Sequence, residues 1–454
     1  MTMQMKKSAL RHIAGVALAA TAAMGATVAA AAQLAVPTLP ALPVAPAVAA
    51  VTAPLGAVID TANSQLSSTA QTARRLTQIR TLLANNRTTL EADPAGAPIL
   101  RSQIVAVSPS DAALTAARAA GFTTLDDQTL DGVGLRMVTL QVPAGRRTNA
   151  ALRQLRRLDP NGSYDFNHVY MPSGESAAND AATPVTAAPS AAVTANAQLR
   201  IGLVDSGVET SHPVFAASKV QTWGCNGQSL PTAHGTATAS LLIGNAAHFH
   251  GAAPGAGLLA ADVYCGRPTG GSVTAIAQAL AWLAQQQVPV INISLVGPAN
   301  GLLEQLVRRL LASGHLLVAA VGNDGPAAPP LYPASYAGVI GVTAVDAHDH
   351  VLLEAARGRQ VSFAAPGADM AAAALLSGYA SVRGTSYAAP VVAGLLALRM
   401  GDHPDVGSAQ SAVQQLAAQA VHAGSKARDN TYGYGVVGEL ARVAPSAALD
   451  IKQP

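Results

Sequence analysis

From Leu199 onward, six short apolar runs follow one another, "LRIGLVDS", "GLLAADVYC", "VPVINISL", "HLLVAAVGN", "VIGVTAVD" and "QVSFAAP". Helical stretches such as "SVTAIAQALAWLAQQQ" and "GLLEQLVRRLLASG" separate most of them. In the first of these helices Val273, Ile276, Leu280 and Leu283 recur at spacings of three and four, which makes one apolar stripe. Apolar runs joined by helices predict an α/β fold, a three-layer parallel sheet with helices on both faces. In such sheets chemistry gathers in the loops at the carboxyl ends of the strands.

Polar residues stand at four such boundaries. The first run ends in Asp205-Ser206-Gly207, ordinary turn chemistry on its own. "AHGTATASLLIG" opens a helix at His234, where a lone histidine is commonly a surface or capping group. "VAAVGNDGP" runs a strand into Asn323-Asp324-Gly325-Pro326, a strong turn signal that also puts an amide NH2 where it can donate to a developing oxyanion. "RGTSYAAPVVAG" places Ser386 at a helix N-terminus, either as a cap or as a group beside N–H donors that attract an anion. Pro390 sits close enough to that helix start to be read as tolerated there.

Asp, then His, then Ser is the chain order of the subtilisin triad. With "VDSGVETSHPVF", "HGTATASLLIG" and "GTSYAAPVVAG" as the three segments, and "INISLVG", "AAVGNDG", "YPASY", "FAAPG" and "NTYGYGVV" in the same order, residues 198–445 resemble a subtilisin-like (subtilase) serine protease. The resemblance implies a serine endopeptidase with Asp205, His234 and Ser386 catalytic and Asn323 in the oxyanion site. It also implies that Ser294, Leu295, Gly297, Ala319 and Ala320 lie in strand segments flanking the first specificity pocket, with the substrate pairing to them as an added strand. Protein or peptide substrates are the implied partners, with no cofactor and no metal in the chemistry. Two departures stand out: Ala237-Thr238-Ala239 replaces the family's usual His-Val-Ala, and "SLVG" sets Val296 in a stretch more often "SLG", which touches pocket geometry. The Asp-to-His interval is compact, so the calcium loops of some relatives are not assumed.

Upstream, Lys6, Lys7 and Arg11 precede an Ala-rich run with small residues near Ala30 to Ala32, the pattern of a secretory signal peptide over 1–32. A membrane anchor is the alternative, disfavoured because the run is mostly Ala, Gly and Thr. Cleaved export leaves a secreted or periplasmic protein with no stable membrane span. Residues 33–99 read as an Ala/Pro-rich spacer and a polar helical segment ending before Asp93-Pro94, whose role is not legible. Residues 100–172, in the order strand, helix, strand, helix, strand, suit a small α+β unit that resembles subtilase prodomains by position and element order. It would act as an intramolecular inhibitor and folding assistant; a permanent accessory domain is the alternative. A linker over 173–198 would separate it from the peptidase domain at 199–445, and 446–454 would be a tail.

Cys225 and Cys265 are the only cysteines, and export permits their pairing, with two buried thiols the alternative. His212 falls in a non-catalytic family segment, and His248 and His250 lack a carboxylate or cysteine at ligand spacing, so both read as surface groups. The formal net charge of +3 and basic residues without interleaved aromatics exclude a nucleic-acid groove. Two rival functions stay open, a non-catalytic binding protein on the same scaffold and an esterase. The esterase lacks the G-x-S-x-G elbow, because position 388 is Ala.

Overall fold

The computed structural model describes residues 71–173, 175–176, 198–267, 270–423 and 428–448. The expected signal peptide, the Ala/Pro-rich spacer, most of the 173–198 linker and the end of the tail lie outside them.

Helix α1 covers 71–85. The first sheet starts at Leu90, ahead of the expected boundary at residue 100, because Asp93-Pro94 is a hairpin turn and not a helix stop. Its carboxylate accepts from the Ala95 and Ala97 N–H groups, both at 2.8 Å, and closes β1 (Leu90–Ala92) onto β2 (Pro98–Val107). Helix α2 (Asp111–Ala119), β3 (Thr123–Leu130), β4 (Leu135–Gln141), α3 (Thr148–Leu158) and β5 (Ser163–His168) complete the unit. All pairings are antiparallel, in the order β1-β2-β4-β3 with β5 beside β2.

Strand alternation gives this sheet two apolar faces. Ile104 and Ala106 of β2, with Val138 and Leu140 of β4, pack under α2 and α3. Val105, Val107, Leu135 and Met137 point the other way, into a core shared with the peptidase domain. Short strands β6 (Met171–Pro172) and β7 (Glu175–Ser176) follow.

The peptidase domain runs β8 (Arg200–Asp205), β9 (Val220–Trp223), α4 (Ala233–Ile243), the hairpin β10 (Asn245–Ala246) and β11 (Phe249–His250), then β12 (Gly257–Asp262) and α5 (Val273–Gln285). It continues with β13 (Val290–Ile293), β14 (Leu295–Val296), α6 (Gly301–Ala312), β15 (Leu316–Ala320), β16 (Ile340–Val345), β17 (Val361–Pro366), β18 (Met370–Ala373), β19 (Tyr379–Arg383), α7 (Thr385–Met400) and α8 (Val406–Gln419). Seven parallel strands form the central sheet in the order β17-β16-β15-β13-β8-β12-β9.

Helices α5 and α6 cover one face and α4 and α7 the other, which is the three-layer α/β fold expected. On α5, Ile276, Leu280 and Leu283 are at most 1% exposed, each worth roughly 1.5–3 kcal/mol of burial. Side-chain caps start these helices: Ser272 accepts from Ala275 N on α5, and Asn300 from Leu302 N and Leu303 N on α6. The prodomain-like sheet docks at the same two helix ends, with the Asn167 amide donating to Thr274 Oγ1 at 3.2 Å at the start of α5. Asp165 accepts from Gly301 N at 2.8 Å, and the Asn300 amide donates to Phe166 O at 3.0 Å.

Strand β8 lies where the strand order diverges, with β12 on one side and β13 on the other. Such a switch point is where open parallel sheets place their ligands.

Candidate active site

Asp205 ends β8 and is fully buried. Its Oδ1 accepts from Ser206 N at 2.6 Å, from Ser206 Oγ at 3.0 Å and from His234 Nδ1 at 2.8 Å. Because Nδ1 donates to a carboxylate, the other ring nitrogen is left as the acceptor. That Nε2 faces Ser386 Oγ at 3.1 Å.

His234 holds this place because α4 begins right against the Asp205 turn. Thr232 caps the helix by accepting from Gly235 N, and a Cβ at Gly235 would fall 2.3 Å from Ser206 O and 2.5 Å from Gly207 O. Only glycine allows that approach. The Tyr387 ring tilts beside the imidazole with centroids 5.4 Å apart.

Ser386 is the second residue of α7, a helix apolar nearly all round and buried against the sheet. Pro390 lies past the first turn, contrary to the sequence reading, so it deletes the bond that residue 390 would donate to Ser386 O. Ser294 Oγ takes up that carbonyl at 3.0 Å and itself accepts from Asn292 Nδ2 at 2.9 Å. The proline thus leaves the nucleophile's carbonyl for a side chain on another element.

Asn323 follows β15. Its Oδ1 accepts from Thr385 N at 3.1 Å, and Gly322 N donates to Thr385 Oγ1 at 3.2 Å, so the amide is oriented from the start of α7. The amide nitrogen donates to Ser173 O. The Ser173 carbonyl is therefore held by an amide that the first residue of α7 orients.

Residues 196–435 match the model of the subtilase family. The chain belongs to that family. Among curated proteins it is 34% identical over 244 residues to thermitase of Thermoactinomyces vulgaris, across 51% of this chain and 87% of that protein. It is 34% identical over 227 residues to subtilisin DY of Bacillus licheniformis, across 47% of this chain and 81% of the relative. The fold also resembles the crystal structure of fervidolysin from Fervidobacterium pennivorans, described as a keratinolytic enzyme related to subtilisin. That likeness has a TM-score of 0.61 at 18% identity, over 78% of this chain and 62% of that one. This subtilase is a subtilisin-type serine endopeptidase.

In the subtilase a segment of its own chain lies along the cleft. Val169 bridges Ser272, Tyr170 N donates to Gly271 O at 2.8 Å, Met171 and Pro172 pair antiparallel with Val296 and Leu295, and Ser173 N donates to Ser294 O at 3.4 Å. Past residue 174, Glu175 and Ser176 pair with Arg383 and Val382 of β19.

The edges that pair with it differ in part from those expected. Leu295 pairs with it, Ser294 accepts from it, and Gly297 gives way to the Tyr170 ring, which a Cβ there would meet at 2.5 Å. Ala319 and Ala320 do not flank it as a pairing strand. They lie inside the sheet, with β13 on one side of Ala319 and β16 on the other. The second edge is Gly271–Ser272, absent from the sequence reading because it carries no side-chain signal.

Around the site, Cys225 and Cys265 form a disulfide, with Cα atoms 5.1 Å apart, that ties the turn after β9 to the loop after β12 leading to Gly271. Asp262, register partner of Asp205, has its carboxyl pushed up by burial, with the Asp205 charge adding to the effect. Helix α1, whose role sequence left illegible, reaches the oxyanion loop. Arg75 Nε pairs with the Asp324 carboxylate at 3.1 Å, and Thr72 Oγ1 donates to Asp324 O at 3.0 Å. His212 is buried, His248 is exposed as expected, and His250 is half-buried and bonds Asn245 at 3.1 Å.

Proposed function

We propose that the chain is an exported subtilase zymogen that cleaves peptide bonds through an acyl-enzyme intermediate. The observation that carries the reading is the unbroken line from Asp205 through His234 to Ser386, at 2.8 and 3.1 Å, beside an amide that already holds a peptide carbonyl. In the first step Ser386 Oγ attacks the carbonyl carbon as its proton passes to His234 Nε2, while Asp205 stabilises the imidazolium. Asn323 and the Ser386 backbone N–H hold the oxyanion. The C–N bond then breaks and His234 returns the proton to the departing amine. Water attacks the ester, giving its proton to His234 and then to Ser386 Oγ, which frees the acid.

Residues 71–173 serve as the intramolecular inhibitor, and the peptide bond that follows Ser173 is the processing site. The seated strand, the sheet docked on α5 and α6, and the Arg75–Asp324 pair support this reading. Export fits the basic, Ala-rich leader and the disulfide. No helix among the described residues is long and apolar enough to cross a membrane.

Ser386→Ala tests the chemistry. It is expected to abolish casein cleavage and labelling by a fluorophosphonate, and to leave the chain uncut, whereas the wild-type product should begin at Gly174 on N-terminal sequencing. Retained labelling would refute the serine assignment. A mature N-terminus before Leu100 would refute the inhibitor role.

A further inference from the structure

Ser173 stands in the place of the residue that precedes the scissile bond, since its carbonyl oxygen accepts the Asn323 amide. Side chains alternate along an extended segment, so Met171 and Ser173 share one face of the seated strand. Val296 is the register partner of Met171, and partners across an antiparallel pair stand on the same face. Its isopropyl group, 1% exposed, therefore borders the space into which the Ser173 side chain projects. Leu331 lies against the turn that carries Asn323. Its Cδ1 lies 2.6 Å from the position a Cβ on Gly322 would take, which puts an isobutyl group against the backbone immediately before Asn323.

Ser173 itself is 4% exposed, and its hydroxyl finds no hydrogen-bond partner among the described residues. Apolar walls around a small side chain with an unsatisfied hydroxyl describe a pocket built for a methyl group. The large anchor of the seated strand lies three residues earlier: Tyr170 is fully buried and its hydroxyl donates to Pro298 O at 2.6 Å.

Building on the endopeptidase reading above, we propose that Val296 and Leu331 make the pocket for the residue preceding the scissile bond shallow and apolar. The enzyme then cuts after Ala, Ser or Gly and excludes Phe, Tyr and Leu. Pocket room of a single methylene already discriminates about 10- to 200-fold, and a benzyl group asks for far more.

The test uses self-processed enzyme, its active sites counted with a fluorophosphonate, on quenched peptides Tyr-Met-Pro-Xaa-Gly-Glu-Ser. With Xaa as Ala or Ser, kcat/KM should exceed that with Phe or Leu at least tenfold. Val296→Gly and Leu331→Ala should each raise the Phe to Ala ratio several-fold. In the full chain, Ser173→Ala should still release a product beginning at Gly174, and Ser173→Phe should not, which tests the pocket without altering its walls. Enzyme that titrates fully and cuts the Phe peptide as well as the Ala peptide overturns the pocket but not the catalytic reading. Enzyme that fails to titrate overturns both.

Discussion

Asn323 divides its side chain between the start of α7 and the Ser173 carbonyl. The oxygen end is fixed by Thr385 N at 3.1 Å, one residue from the nucleophile, so the nitrogen end cannot turn away from the carbonyl it faces. A donor held this way costs no reorganisation when charge develops on the oxygen, and in a buried site that charge is poorly screened. Asn323→Ala removes the donor. We expect kcat to fall about 100- to 1000-fold, the loss seen when subtilisin's own oxyanion amide is removed, with KM changed only a few-fold. Steady-state kinetics on a peptide amide check it, and a fall smaller than tenfold would take Asn323 out of the oxyanion role. Asp205 acts at one remove from the carbonyl: fully buried, its carboxylate accepts three bonds on one oxygen, from Ser206 N, Ser206 Oγ and His234 Nδ1, while its Oδ2 finds no partner among the described residues.

Elements divide into those whose placement local chemistry sets and those that only the assembled chain places. Helix α1 belongs to the second group. Its Arg75 pairs with Asp324 beside Asn323; burial pushes the Asp324 carboxyl up, and the Arg75 charge opposes that shift. In the inactive Ser386→Ala chain, Arg75→Glu sets like charges against each other there. Amide hydrogen exchange across 71–85 should accelerate at least tenfold, while α5 and α6 keep their protection. Unchanged exchange in α1 would mean the pair does not hold the helix.

The sequence made α5 legible, because the stripe of Val273, Ile276, Leu280 and Leu283 is a local signal. The meeting of Asp205, His234 and Ser386 was legible too, through their order along the chain and the segments around them rather than through any one of them alone. Less was readable where pairing decides. A run such as "HLLVAAVGN" looks the same at a sheet edge and at its centre, and only the pairing shows that β13 and β16 flank the strand of Ala319 and Ala320, which leaves it no free edge for a substrate strand. Gly271 and Ser272 act through backbone groups that composition does not reveal, and the role of Pro390 depends on Ser294, 96 positions away in the chain.

The whole molecule is closed by a segment that crosses the cleft, pairing with β14 before Ser173 and with β19 after residue 174. Strand β19 in turn rests on a buried histidine. His212 accepts from Val214 N through Nδ1 at 3.1 Å, its Nε2 donates to Gly378 O at 3.0 Å, and its ring packs edge-on against Tyr379 at the head of β19. Only the neutral ring can do this, because a proton on Nδ1 would face another N–H. Burial pushes the His212 pKa below its ordinary value of 6.5, with the Gly378 carbonyl and the Glu209 charge opposing. His315, donating from Nδ1 to Val288 O at 2.6 Å, is lowered by burial as well.

For both groups the unfolded chain binds protons more readily than the fold, so stability is complete above about pH 6.5 and declines as pH falls from there through the folded pKa values. Lowered carboxyls such as Asp93 and Asp346 lose stability the same way, but only below their ordinary value of 3.8. Asp262 and Asp324, raised by burial, take up protons in the fold first and act in the opposite sense. Subtracting a variant isolates the histidine. In His212→Asn the amide oxygen can still accept from Val214 N as a cap, but nothing there titrates. Thermal unfolding of the Ser386→Ala chain, which cannot digest itself, should show Tm falling between pH 7 and pH 5, and falling less when His212→Asn is added. Equal slopes for the two chains would show that protonation of His212 does not limit the fold.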